Sequence, residues 1–186
     1  MRHHADAHLT AEFAVIANPA EAPHRAPTSE TPLRLELRDF RNLAALDWRL
    51  PAGSALLHGP NGVGKSTLVE AIYLASTTRS FRGAKPEVLA RAGAPGFAVR
   101  LDVGENPTRA LELSWFADTG RKRALDGRDS ALAEHLRVLP LLVWWQGESE
   151  VVSGAPEARR RFFDRATVHL RPGYLDELGR YARALG

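Results

Sequence analysis

Cysteine is absent from the 186 residues. Disulfides and cysteine-ligated zinc are thereby excluded, and a reducing compartment fits. No apolar run reaches the roughly 18 residues that a membrane span needs, so no membrane partner is expected. The first residues lack the basic-then-apolar order of a secretory signal. A strong excess of one charge is lacking too. Lys and Arg number 25 against 22 Asp and Glu, a formal net charge of +3, which favours nucleic acid only mildly. A soluble cytoplasmic protein is the default expectation.

What is present suits one domain, or one domain with a tail. The hydrophobic share of 44% is enough to form a core. Met1 to Pro32 holds four of the seven His and four of the prolines with little periodicity. It reads as a disordered N-terminal tail, in which a solvated His3-His4 pair is more plausible than a metal site. The ordered pattern starts at Leu33. "LRLELRDF" alternates with period two, as a half-buried strand does. "NLAALDWRL" reads as a second strand, and "SALLHG" as a short one. "KSTLVEAIYLAST" carries Leu68, Ile72 and Ala75 at helical spacing. "GFAVRLDV", "RALELSWF" and "KRALDG" read as an antiparallel meander split by turn residues. Ser130 to Leu136 is a short helix, "LPLLVWW" a buried strand, Pro156 to Leu170 a helix with proline near its first turn, and Gly173 starts another. Strands around a crossover helix, with an antiparallel insert, predict an α/β domain with a mixed sheet.

The strongest motif is Gly59-Pro60-Asn61-Gly62-Val63-Gly64-Lys65-Ser66, which fits G-x-x-x-x-G-K-[ST] without mismatch. Glycines let the backbone curl so that successive N–H groups point into one concavity, and the following helix adds its positive end. Lys65 supplies a point charge for the β- and γ-phosphates of ATP. Ser66 supplies a hydroxyl for Mg²⁺, and Thr67 would lie near the α-phosphate. The motif follows an apolar strand and opens a helix, the context it needs.

Hydrolysis asks for more: an apolar strand ending in Asp to hold Mg²⁺ and orient water. "AVRLD" ends at Asp102 but contains Arg100, "RRFFD" ends at Asp164 on a helical pattern, and "LPLLVWW" is followed by Gln146. None qualifies. The basic runs Arg121-Lys122-Arg123 and Arg159-Arg160-Arg161, and Arg79 and Arg82 around Phe81, are either solvated surface or anion contacts. Trp144 and Trp145, at the end of the expected strand, read as core rather than as base-stacking groups.

Two stretches together carry a resemblance. "LRDFRNLAALDWRLPAGSALLHGPNGVGKSTLVEAIYLASTTRSFR" resembles the start of the RecF family, recombinational-repair ATPases of the SMC/ABC-like class. "SGAPEARRRFFDRATVHLRPGYLDELGRYARAL" resembles that family's G-x-P-x-x-R-R-x-F-L-D segment and the helix after it. The resemblance runs from about Leu33 to Gly186. It implies a P-loop NTPase head of the ABC/SMC type, with residues 33–155 its N-terminal part and 156–186 the start of a helical lobe. It further implies ATP and Mg²⁺ as cofactors, ATP-dependent homodimerisation of a completed chain, binding to single-stranded and gapped double-stranded DNA, RecO- and RecR-like partners, and service in DNA repair, replication and the SOS response.

By the same resemblance, Gly59, Pro60, Asn61, Gly62, Val63, Gly64, Lys65, Ser66 and Thr67 form the nucleotide loop. Arg41 and Asn42, in "FRN", fall near adenine and phosphates, or else in a plain strand-end turn. Gln146 falls where SMC-like heads carry a glutamine touching Mg²⁺. The family more often has a Pro-Glu-Asp-like stretch there, and this chain has Gln146-Gly147-Glu148, so that role stays open. Arg159, Arg160 and Arg161 match a basic pair able to touch DNA phosphate. Val152-Ser153-Gly154-Ala155 imitates a signature loop but comes too early in the chain to be one. RecF proteins continue for about as many residues again, so a truncated, frameshifted or split chain is expected, one that does not turn over ATP alone. The alternatives are a non-catalytic nucleotide-binding module and a different P-loop ATPase.

Overall fold

A computed structural model describes residues 14–16, 33–50, 53, 55–104, 108–171 and 173–185. Its centre is a six-stranded sheet in the order β3-β2-β5-β6-β7-β8. The strands are β2 (Leu33–Phe40), β3 (Leu43–Leu50), β5 (Gly96–Val103), β6 (Arg109–Phe116), β7 (Gly120–Leu125) and β8 (Arg128–Asp129). Two further short strands, β1 (Ala14–Ile16) and β4 (Leu56–His58), pair with each other. Every ladder among the described residues is antiparallel.

Alternation sets the faces. Leu35 and Leu37 of β2 lie opposite Leu101 and Val99 of β5, which lie opposite Leu111 and Leu113 of β6. These rows are buried. On the other face Glu36 meets Arg100, and Arg100 meets Glu112. Arg100 bonds Asp102 and Glu112 at 2.8 Å each, and Arg34 bonds Asp47 at 2.6 Å. The Arg34 guanidinium holds the Asp47 carboxyl below its usual range. Such exposed pairs fix register more than they add stability. Between β7 and β8, Asp126 and Gly127 both take positive φ, 54° and 75°. That is the Asp-Gly hairpin turn whose twist suits antiparallel strands.

Helix α1 (Lys65–Thr77) lies across the apolar face, with Leu68, Ala71, Leu74 and Ala75 in the core beside Phe40, Phe97 and Leu101. Its far side is covered by α3 (Leu132–Val138) and the chain after it: His135 Nε2 bonds the Ala75 carbonyl at 2.7 Å, and Ser76 Oγ donates to the Leu139 carbonyl at 2.6 Å. Short α2 (Pro86–Leu89) and α4 (Glu150–Ser153), a 3₁₀ turn (Gln146–Ser149), α5 (Pro156–Leu170) and α6 (Tyr174–Leu185) complete the elements.

Two expectations change. "LPLLVWW" is not a strand: residues 139–145 cross without a ladder partner, and Leu142 and Trp144 are 52% and 60% exposed. An apolar run becomes a strand only where an edge is open to it, and here the run is spent linking α3 to the 3₁₀ turn. Trp144 therefore leaves the core, packing edge-on against Phe162 with centroids 5.6 Å apart. The expected disordered tail, Met1 to Pro32, lies almost wholly outside the described residues; within it Ala14–Ile16 is a strand on β4.

His135 is fully buried, its Nδ1 has no partner among the described residues, and burial lowers its pKa from the usual value. Its neighbours Arg121 and Arg123 push the same way. The unfolded chain then binds more protons than the folded one once pH falls below about 6.5. Stability contributed by neutral His135 is therefore complete above that pH and declines below it. A melting-temperature profile from pH 7.5 to 5 should show the decline, and His135→Gln should flatten it.

Candidate nucleotide-binding site

The site is built where β4 ends and α1 begins. Gly59, Gly62 and Gly64 all take positive φ, at 149°, 83° and 114°. At Gly64 the requirement is double. A Cβ there would come within 3.2 Å of Leu43 Cδ2 and 3.4 Å of Asn42 Nδ2, so any side chain would push the loop off the β2–β3 turn. Gly64 is also the N-cap of α1, where no side chain accepts from the exposed N–H groups and no acidic residue sits in the first turn. An uncapped N-terminus on a 13-residue helix presents unpaired donors and a partial positive charge.

Lys65 folds back over the loop, its Nζ donating to the Gly59 and Pro60 carbonyls at 2.7 and 2.8 Å. The ammonium thus sits over the concavity. Ser66 is exposed and makes no side-chain hydrogen bond among the described residues. Thr67 is buried and donates to Asn42 Oδ1 at 2.9 Å, while Asn42 Nδ2 donates to the Gly62 carbonyl at 3.0 Å. Asn42 therefore clasps the loop at two points and holds its curl. Losing both bonds at about 1 kcal/mol each frees the loop before phosphate arrives. Asn42→Ala should weaken ATP binding about ten- to thirtyfold in a fluorescent-nucleotide titration and lower the melting temperature by a few degrees, because buried Thr67 loses its acceptor.

Arg41 does not reach the loop. Its guanidinium forms a bidentate pair with Glu70 of α1, Nε to Oε2 at 3.0 Å and Nη2 to Oε1 at 2.8 Å. Glu70 is fully buried and also accepts from Ser80 Oγ at 2.6 Å, with Arg82 Nη1 at 4.0 Å. Arg41 holds φ at 57° and its N–H bonds the Leu89 carbonyl. The sequence left Arg41 either near adenine and phosphates or in a plain strand-end turn. The structure instead makes it the anchor that places its neighbour Asn42. Glu70 and Ser80 did not figure among the candidates. One signal was available: a carboxylate set among Leu68, Val69, Ala71 and Ile72 on a helix is rarely buried without a dedicated partner.

The remaining candidates lie away from the loop. Gln146 is exposed at the start of the 3₁₀ turn, and its side chain makes no bond to the loop. Its neighbours are tied to α1 indirectly. Trp145 packs on Phe81 at 5.5 Å, and Phe81 packs edge-on against Tyr73 of α1 at 5.7 Å. Glu148 accepts from Arg165 of α5 at 2.5 Å. Arg159, Arg160 and Arg161 are exposed on the first turns of α5, and Arg159 makes a 3.4 Å bond to the Gly154 carbonyl. Asp102 points from the charged face of the sheet to Arg100, and Asp164 accepts from the Tyr174 hydroxyl at 2.6 Å. No group of three or more His, Asp or Glu able to hold a metal occurs among the described residues. A magnesium ion here would rest on Ser66, phosphate oxygens and water, the sparse protein ligation that this ion accepts.

Comparison with known proteins agrees with this geometry. The family described as AAA domain matches residues 34–129, just over half of the chain. The DNA replication and repair protein RecF of Anaeromyxobacter dehalogenans (strain 2CP-C) is 35% identical over 158 residues, covering 82% of this chain and 42% of that protein. The RecF of Magnetococcus marinus is 39% identical over 135 residues, covering 70% and 35%. The chain thus spans less than half the length of the curated relatives it matches. Among solved structures, a recombination mediator protein RecF with ATP, from the RecFOR pathway, superposes with a TM-score of 0.68 at 24% identity, covering 83% of this chain and 44% of that one. An SMC ATPase, from work on ATP-driven dimerisation and DNA-stimulated activation, gives 0.56 at 21%, covering 71% and 96%. These two likenesses bear on the fold alone.

Proposed function

The chain belongs to the AAA domain family and matches the N-terminal part of RecF, and from that premise we propose that it binds ATP with Mg²⁺ through residues 59–67 and serves DNA replication and repair. One observation carries the reading: a glycine-lined loop closes on the uncapped N-terminus of α1 with a lysine ammonium over its mouth. Loop N–H groups and Lys65 would hold the β- and γ-phosphates, Ser66 would ligate Mg²⁺, and Asn42 would keep the loop curled. Bound Mg²⁺ would neutralise phosphate charge there. The role of Gln146 at that ion belongs to the same proposal.

The wider activity rests on the relatives. It comprises binding to single-stranded and gapped double-stranded DNA, recombination, work with RecO- and RecR-like partners, and an ATP-dependent homodimer. The RecF name of the relatives and the RecFOR pathway of the solved structure support it. Arg159, Arg160 and Arg161, exposed on one helix end, are the proposed DNA contacts.

A binding module without turnover is the second reading. It is favoured by Asp102 and Asp164 being engaged away from the loop. Calorimetric titration with MgATP should show saturable binding, and phosphate release should stay at background. No heat of binding at millimolar MgATP would remove the nucleotide reading. A steady-state ATPase rate lost in Lys65→Ala would remove the second reading and restore catalysis.

A further inference from the structure

Two basic clusters stand far apart in the sequence, Arg79 beside Phe81 and the run Arg121-Lys122-Arg123. The fold brings them together at the C-terminal end of α1. Arg79 and Arg121 line one cavity of about 240 Å³ with Thr78 and Ser80, over an apolar floor that includes Leu89 and Phe97. That is the space of about eight water molecules at ~30 Å³ each. Arg121 Nη2 donates to the Thr78 carbonyl. Arg123, two residues along β7, donates from Nε and Nη2 to the Ser130 carbonyl.

Arg121 lies near enough to both Arg79 and Arg123 to be repelled by each. Burial lowers the Arg121 pKa first, and Arg123 and Arg79 lower it further. Among the described residues none of the three has a salt-bridge partner, although other arginines of the sheet are paired with acids. The C-terminus of α1 offsets part of this charge, but it supplies only about half a negative charge. Arg79 and Arg121 thus line the cavity with N–H donors unused and with no salt-bridge partner among the described residues. Each guanidinium has five such donors, and only one or two on Arg121 and Arg123 are engaged.

We propose that this cavity is a phosphate-binding site, distinct from the nucleotide loop, with Arg79 and Arg121 as its contacting residues. Arginine suits tetrahedral oxyanions because its planar fork makes paired charge-assisted bonds. The 13 residues of α1 separate the cavity from the loop by about 20 Å, so the group bound here is not the one held by Lys65. The phosphate is either free or part of a nucleic-acid backbone.

The test uses the full chain carrying Lys65→Ala, which silences the loop and makes the result independent of the nucleotide reading. Thermal unfolding is followed against inorganic phosphate and against sodium chloride at matched ionic strength. Phosphate should raise the melting temperature saturably, and adding Arg79→Ala should weaken that response about tenfold. Arg79 is exposed and its guanidinium makes no hydrogen bond or ion pair among the described residues, so the variant is expected to fold. A short DNA duplex separates the two sources. Weaker duplex binding in the Arg79→Ala chain, with competition by inorganic phosphate, identifies backbone phosphate. Unchanged duplex binding beside a lost phosphate response identifies the free ion. Equal stabilisation by phosphate and chloride, or equal phosphate responses with and without Arg79, overturns the proposal.

Discussion

Lys65→Ala should lower affinity for MgATP by about two to four orders of magnitude and leave the fold in place. The ammonium now rests on the Gly59 and Pro60 carbonyls at 2.7 and 2.8 Å. Those carbonyls are on exposed residues, so water replaces the lost bonds at little cost. In the bound state the same ammonium would face two phosphates. Charge-assisted bonds of that kind contribute about 1.5–3 kcal/mol each, and two of them give the stated loss. Calorimetry with wild-type and variant chains, with melting curves of both beside it, decides the matter. A variant that binds as tightly as wild type would show that the ammonium stays on its own loop and that the helix terminus alone holds the ligand.

The second large effect is on stability. Glu70→Ala should destabilise the chain by about 3–5 kcal/mol, the cost of leaving one partner of a buried pair without the other. Glu70 has no exposed surface and Arg41 only 21% of its side chain exposed, so water cannot take over the bonds. Ser80 loses its acceptor at the same time. Glu70→Gln keeps the shape and an acceptor oxygen, so it should lose roughly half as much. Urea unfolding monitored by tryptophan fluorescence measures both. Because Arg41 carries Asn42, the Gln variant should also bind ATP more weakly at temperatures where it is folded. A Gln variant with wild-type affinity would show that the anchor and the clasp are independent.

Much of this was legible in the sequence because local chemistry wrote it. The period-two alternation of "LRLELRDF" marked a half-buried strand, and in the fold Leu35 and Leu37 are buried while Arg34 and Glu36 lie on the other face. The glycine loop and helix 65–77 were legible because the glycine spacing before Lys65-Ser66 is specific and the apolar residues after it have helical spacing. What stayed hidden depends on distant neighbours. Nothing in "LPLLVWW" says that it will link α3 to the 3₁₀ turn without joining a ladder. Nothing near Arg41 says that Glu70, 29 residues on, will take its guanidinium. The loop was readable, and the bracing that places Asn42 against it was not.

Sequence separation gives that bracing a further meaning. The β7–β8 hairpin closes across Asp126 and Gly127, so the chain makes it locally. The side-chain bonds that tie α1 to the β2–β3 turn and to α3 and the chain after it join residues 25 to 63 positions apart, from Asn42 with Thr67 to Ser76 with Leu139. Synthesis runs from the N-terminus. The whole phosphate loop has been made once Ser66 is added, yet Ser76 has no acceptor and the outer side of α1 no cover until residue 139 exists. The phosphate loop is therefore synthesised well before the residues that fasten the helix behind it.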